Sequence, residues 1–174
     1  MMIEVKVQSL GLDQTSKTPV VILQELGGER ILPIWIGPGE ASAIAMELAG
    51  MKFSRPLTHD LAASLIRGLG GVLKRVLISR VQENTYYAEM VIQRGDEVFS
   101  IDARPSDSIA IALRTDARLF TSDELFAATA IELTDESAEE FQSGEEDESK
   151  RMTAEELQEY LRKMNPEDLG RFNP

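Results

Sequence analysis

The chain has 174 residues, no cysteine, one histidine and a formal net charge of −12. That length allows one domain with a proper core and some excess, and the missing cysteines exclude disulfides, thiolate metal ligands and a cysteine nucleophile. The charge is uneven: residues 1–134 hold 17 acids against 13 Lys and Arg, and residues 135–174 hold 13 against 5, so the body has no basic tract for nonspecific attraction to phosphate backbones.

The opening "MMIEVKVQSLGL" alternates, with Ile3, Val5 and Val7 on one side and Glu4, Lys6 and Gln8 on the other, the period of a half-buried strand. It lacks a basic region followed by an apolar block, so no secretory signal is visible. No apolar run reaches the roughly 18–20 residues of a membrane span, and the expected location is the cytoplasm, away from membranes. "TPVVILQEL" reads as a second strand, buried on both faces. "GGER" at 27–30 turns the chain into a third strand, "ILPIWIG", where Pro33 points to an edge or a bulge. Pro38 opens a helix to about Leu48, with Glu40 in its first turn and Gly50 ending it. A second helix is expected from Thr58 to about Leu69, closed by Gly70-Gly71. Three strands follow in "VLKRVLISRV", "NTYYAEMVIQ" and "EVFSIDAR", then a helix in "PSDSIAIALR", a short extended "LFTS" and a short helix in "SDELFAATA".

The second half repeats the first. A shift of 67 positions lays Pro38 on Pro105, Glu40 on Asp107 and Ala43-Ile44-Ala45 on Ala110-Ile111-Ala112, and a shift of 63 lays Thr58-His59-Asp60 on Thr121-Ser122-Asp123. The pattern implies an internally duplicated unit of three strands and two helices, an α+β fold with a mixed sheet and flanking helices. Residues 1–134 form this domain. Residues 135–150 hold eight acids and one lysine, too little apolar surface to order themselves, and read as a flexible linker. In 151–174, Thr153 and Glu156 make a capping box ahead of the apolar stripe Leu157, Tyr160, Leu161 and Met164. A helix this short is marginal alone, so it is expected to dock on its own domain, a sister subunit or another protein.

Familiar catalytic signatures are missing: there is no Walker A loop, G-x-G-x-x-G, H-E-x-x-H or G-x-S-x-G. Two polar clusters remain. One is Arg55, Thr58, His59 and Asp60; the other is Asp102, Arg104, Ser106 and Asp107. Each sets an arginine, a hydroxyl and carboxylates at a helix start. Guanidinium forks and free helix N–H groups suit a phosphate. Asp102 and Asp107 offer oxygen ligands to Mg²⁺ or Mn²⁺, an ion able to activate water. His59 suits proton transfer near neutral pH. The same residues have a structural reading, with Thr58 and Ser106 as N-caps and Asp60 and Asp107 answering the helix dipoles.

The series "LPIWIGPGEASAIAMEL", "RPLTHDLAASLI", "NTYYAEMVI" and "IDARPSDSIAIALR" resembles the bifunctional nuclease domain family over about residues 2–133. The tail is outside the resemblance, and 151–174 does not match the helical motif some plant members carry there. The resemblance implies a duplicated α+β fold, dimers, and hydrolysis of RNA and DNA, with nucleic acid as the substrate. Carried onto this chain, it assigns Arg55, Arg104 and Ser106 to phosphate, Asp102 and Asp107 to a divalent metal, and His59, Asp60 and Asp107 to catalysis. Two other readings stand beside it: a non-catalytic dimeric interaction or regulatory protein whose Arg-Pro motifs are structural corners, and a domain holding a small phosphorylated ligand.

Overall fold

The computed structural model describes residues 1–130 save Gln14 and Asn84; the expected linker and tail helix lie outside the described residues. Strands β1 (Met2–Leu12), β2 (Pro19–Glu25) and β3 (Ile31–Trp35) precede helices α1 (Pro38–Leu48) and α2 (Thr58–Gly68). Strands β4 (Val72–Gln82), β5 (Thr85–Arg94) and β6 (Glu97–Ala103) lead into α3 (Pro105–Thr115), β7 (Arg118–Ser122) and α4 (Asp123–Ala130). The sheet is mixed, seven-stranded and ordered β3-β2-β1-β7-β4-β5-β6.

The duplication is visible in that order. Each half is an antiparallel meander, β1-β2-β3 and β4-β5-β6, followed by an 11-residue helix with proline at its start. The halves depart from strict repetition at "LFTS". This segment is β7, which joins the meanders by pairing antiparallel to β1 and parallel to β4; the connection between α1 and α2 holds no counterpart strand.

Burial follows from the sequence pattern. Val20, Val21, Ile22 and Leu23 of β2 are all buried, as a continuous apolar run requires. β3 is an edge strand, so Pro33 removes no hydrogen bond that an outer neighbour would need. Helix α3 packs over β4, β5 and β7 and lies between α1 and α2. Its Ile109 and the Ile44 of α1 are fully buried, and trimming either to alanine is expected to cost roughly 2–5 kcal/mol. Both α1 and α2 end on a left-handed glycine, Gly50 at φ +67° and Gly70 at φ +78°, whose N–H groups reach back to Glu47 and Arg67 carbonyls. No described helix is long and apolar enough to cross a membrane.

Candidate active site

The starts of all three large helices carry acids: Glu40 on α1, Asp60 on α2 and Asp107 on α3. Carboxylates there offset the partial positive charge of unpaired helix N–H groups. The caps differ from the sequence reading in detail. The residue preceding α2 is Leu57, whose N–H donates to Asp60 Oδ2 at 2.9 Å, and Thr58 is the first helical residue. Arg104 precedes α3, while Ser106 lies inside its first turn and is buried. Thr58 and Ser106 are therefore not N-caps, because proline or leucine fixes the entry one or two residues earlier.

Histidine and aspartate from the two sequence motifs meet. His59 Nε2 stands 2.9 Å from Asp107 Oδ1, with the imidazole 14% exposed. Arg104 Nε donates to the other Asp107 oxygen at 2.7 Å, and Arg104 Nη2 donates to Glu40 at 2.6 Å. Arg104 thus bridges Glu40 and Asp107, the two acids that coincide under the shift of 67. Burial pushes the Asp107 carboxyl up, but hydrogen bonds from Arg104 and His59 and their charges outweigh it, and its pKa is lowered overall. An ionised carboxylate only accepts, so the His59 nitrogen facing it carries the proton. The other ring nitrogen, Nδ1, has no hydrogen-bond partner among the described residues. Because no fully enclosed side-chain nitrogen or oxygen among the described residues lacks one, Nδ1 is not wholly buried.

Asp60 turns to a different partner. Its Oδ1 accepts from Arg114 Nε at 2.6 Å, and Arg114 also donates to the carbonyls of Ala110 and Ala43. The Leu57 N–H and then the Arg114 guanidinium hold the Asp60 carboxyl below its ordinary range. Arg114 is only 6% exposed and ties all three helices together. Sequence reading passed over Arg114 and gave Glu40 only a dipole role. The available signals were a lone cation ending an apolar helix and the alignment of Glu40 with Asp107.

The remaining candidates stand apart. Arg55 is exposed in the connection before α2 and has no partner among the described residues. Asp102 pairs in register with Glu89 on β5, while its neighbour Ala103 lies opposite the buried Ala88. Successive side chains on a strand point to opposite faces, so Asp102 points away from the packed face on which α3 lies. The structure therefore does not bring Asp102 and Asp107 together: they belong to different faces of the sheet, and both Asp107 oxygens have partners. Among the described residues no three His, Asp or Glu side chains cluster together.

Two comparisons bear on this arrangement. The profile of the Bifunctional nuclease domain matches residues 21–134. A Mycobacterium tuberculosis (strain H37Rv) protein named Uncharacterized protein Rv1829 is 42% identical over 167 residues, covering 95% of this chain and 97% of that one. Bifunctional nuclease 2 of Oryza sativa subsp. japonica is 29% identical over 111 residues, 62% of this chain and 34% of the rice protein. Bifunctional nuclease 1 of Arabidopsis thaliana is 23% identical over 105 residues, 59% of this chain and 32% of that one.

Proposed function

The chain belongs to the bifunctional nuclease domain family, and from that premise we propose that it hydrolyses phosphodiester bonds of RNA or DNA in the cytoplasm, with His59 as general base. The observation that carries this reading is the His59–Asp107 pair: an ionised carboxylate fixes one imidazole nitrogen, and the other has no partner among the described residues and is not wholly buried. This is the division of labour by which an aspartate orients a catalytic histidine.

In the proposed step Nδ1 takes a proton from water as the water oxygen bonds to phosphorus. The phosphorus–oxygen ester bond breaks, and the leaving oxygen takes a proton from solvent. Arg104, 66% exposed in its side chain and already held by Glu40 and Asp107, offers its outer guanidinium edge to the phosphate. Arg55 is the second phosphate contact. Asp60 acts by fixing the start of α2, one residue from the base. A positioned general base contributes roughly 10²–10⁴-fold, so His59→Ala is expected to lose about that much. The assay uses labelled RNA and DNA with Mg²⁺, Mn²⁺ or EDTA, which also tests whether a divalent ion takes part. Cleavage that survives His59→Ala and Asp107→Asn overturns the assignment.

The reading includes a homodimer. Leu61 and Leu65 on α2, with Leu57 and Leu69 at its two caps, are all exposed and recur every four residues, and Gly68 beside them adds no charge. A second copy covering this apolar face would explain why the helix turns its leucines outward and its Ala63 inward.

A second reading has its own support. Every carboxylate at the three helix starts is held by a cation of the same fold, as a purely structural clamp would arrange. The cleavage assay separates the two, since a clamp without chemistry leaves RNA and DNA intact under all three conditions.

A further inference from the structure

A groove of about 390 Å³ runs between the end of α1, the connection to α2 and one side of α2, and its lining includes Lys52, Phe53, Asp60, Ser64, Arg67 and Arg114. Its charges do not cancel. Asp60 is neutralised by Arg114 and by the Leu57 N–H. Glu47, 19% exposed in its side chain, is met by Lys52 at 3.4 Å. Arg67 has no carboxylate partner among the described residues; its guanidinium donates to the Arg114 carbonyl. Arg55 stands next to the groove residue Pro56 and is likewise unpaired. The lining therefore carries an excess of one cation, Arg67, although the chain is acidic. It also presents Phe53, an aromatic ring 44% exposed.

Cations beside an exposed ring match the two halves of a nucleotide, phosphate and base. We propose that this groove binds a single-stranded segment of nucleic acid, with an unpaired base on Phe53 and the backbone phosphates on Arg67 and Arg55. Resting on the nuclease reading, it deepens it by giving the strand a contact outside the His59–Asp107 pair: Asp60 lines the groove, while His59, the residue before it, is not part of the lining. A duplex keeps its bases stacked within the helix and cannot place one on Phe53, so the preference is for single strands.

The test measures binding apart from cleavage. Fluorescence anisotropy of a labelled thymidine dodecamer, and of the matching uridine dodecamer, is followed with the full chain in EDTA at two salt concentrations. Phe53→Leu and Arg67→Gln are each expected to weaken binding about tenfold, in line with losses of one stacked base or one charged contact, and Arg67→Gln to flatten the salt dependence. Circular dichroism confirms that the variants fold. A duplex of the same length is expected to compete poorly. Unchanged affinity in both variants, or equal competition by duplex, overturns the groove. Cleavage by His59→Ala is scored separately. If it falls while dodecamer binding ignores Phe53 and Arg67, the groove is wrong and the base stands; the reverse pattern retires the base and keeps the groove.

Discussion

Replacing Asp60 with alanine removes two interactions at once. One is the charged hydrogen bond to Arg114 at 2.6 Å, the other the acceptor for the Leu57 N–H. A hydrogen bond to a charged group contributes about 1.5–3 kcal/mol; Asp60 is 29% exposed, so solvent screening places it near the lower figure. Loss of a helix-start acceptor adds about 1 kcal/mol. Arg114 keeps two carbonyl acceptors, so its charge is not stranded entirely. The expected cost of Asp60→Ala is about 2–3 kcal/mol. Asp60→Asn keeps an oxygen for Leu57 and is expected to cost about 1 kcal/mol less. Urea unfolding followed by circular dichroism measures both, and the midpoint should fall without a change in slope. A loss within about 0.5 kcal/mol for Asp60→Ala, the range of ordinary surface changes, refutes the idea that the Asp60–Arg114 contact ties the helices together. Equal losses for the two variants refute the capping half of the sum.

The lowered carboxyl pKa of Asp107 makes its contribution full above the unfolded-state value, roughly 3.9, and lost as pH falls through the lower folded value. The stability gap between the chain and Asp107→Asn should thus shrink as pH falls below about 4; a gap that widens there contradicts this. Trp35, the single tryptophan, donates its indole N–H to Asp13 at 2.9 Å. That bond, with the Ser16 and Thr15 N–H groups, lowers the Asp13 pKa to about 2. Asp13→Ala should shift Trp35 emission at neutral pH without unfolding the chain, and an unchanged spectrum would discount the contact. For the proposed dimer, Leu61→Glu with Leu65→Glu should yield a monomer by light scattering; a mass unaltered by the pair removes α2 as the interface.

Much of the fold was legible because burial and backbone chemistry are written locally. The four buried residues of β2, the prolines opening α1 and α3 and the glycines closing α1 and α2 each announce themselves within a few positions. The place of β7 was not legible: "LFTS" is short and extended, and only long-range pairing with β1 and β4 makes it the seam of the sheet. At the site, spacing picked out His59 and Asp107, which meet although 48 positions apart. It could not place Asp102, because the motif "IDARPSD" crosses from strand to helix and a five-residue spacing says nothing about which face of the sheet each side chain takes. It missed Arg114, because one cation among alanines and isoleucines looks like a surface residue until three helices close over it.

The central claim is that His59 and Asp107 act as one catalytic unit. Its most direct test is a double-mutant cycle on the single-turnover cleavage rate of a labelled strand, using His59→Ala, Asp107→Asn and the pair. Residues that work as a unit lose little more together than apart. The account predicts that each single change lowers the rate about 100-fold or more and that the double variant is no slower than the His59→Ala variant. Losses that multiply, or rates that stay within a few-fold of the parent chain, would contradict it.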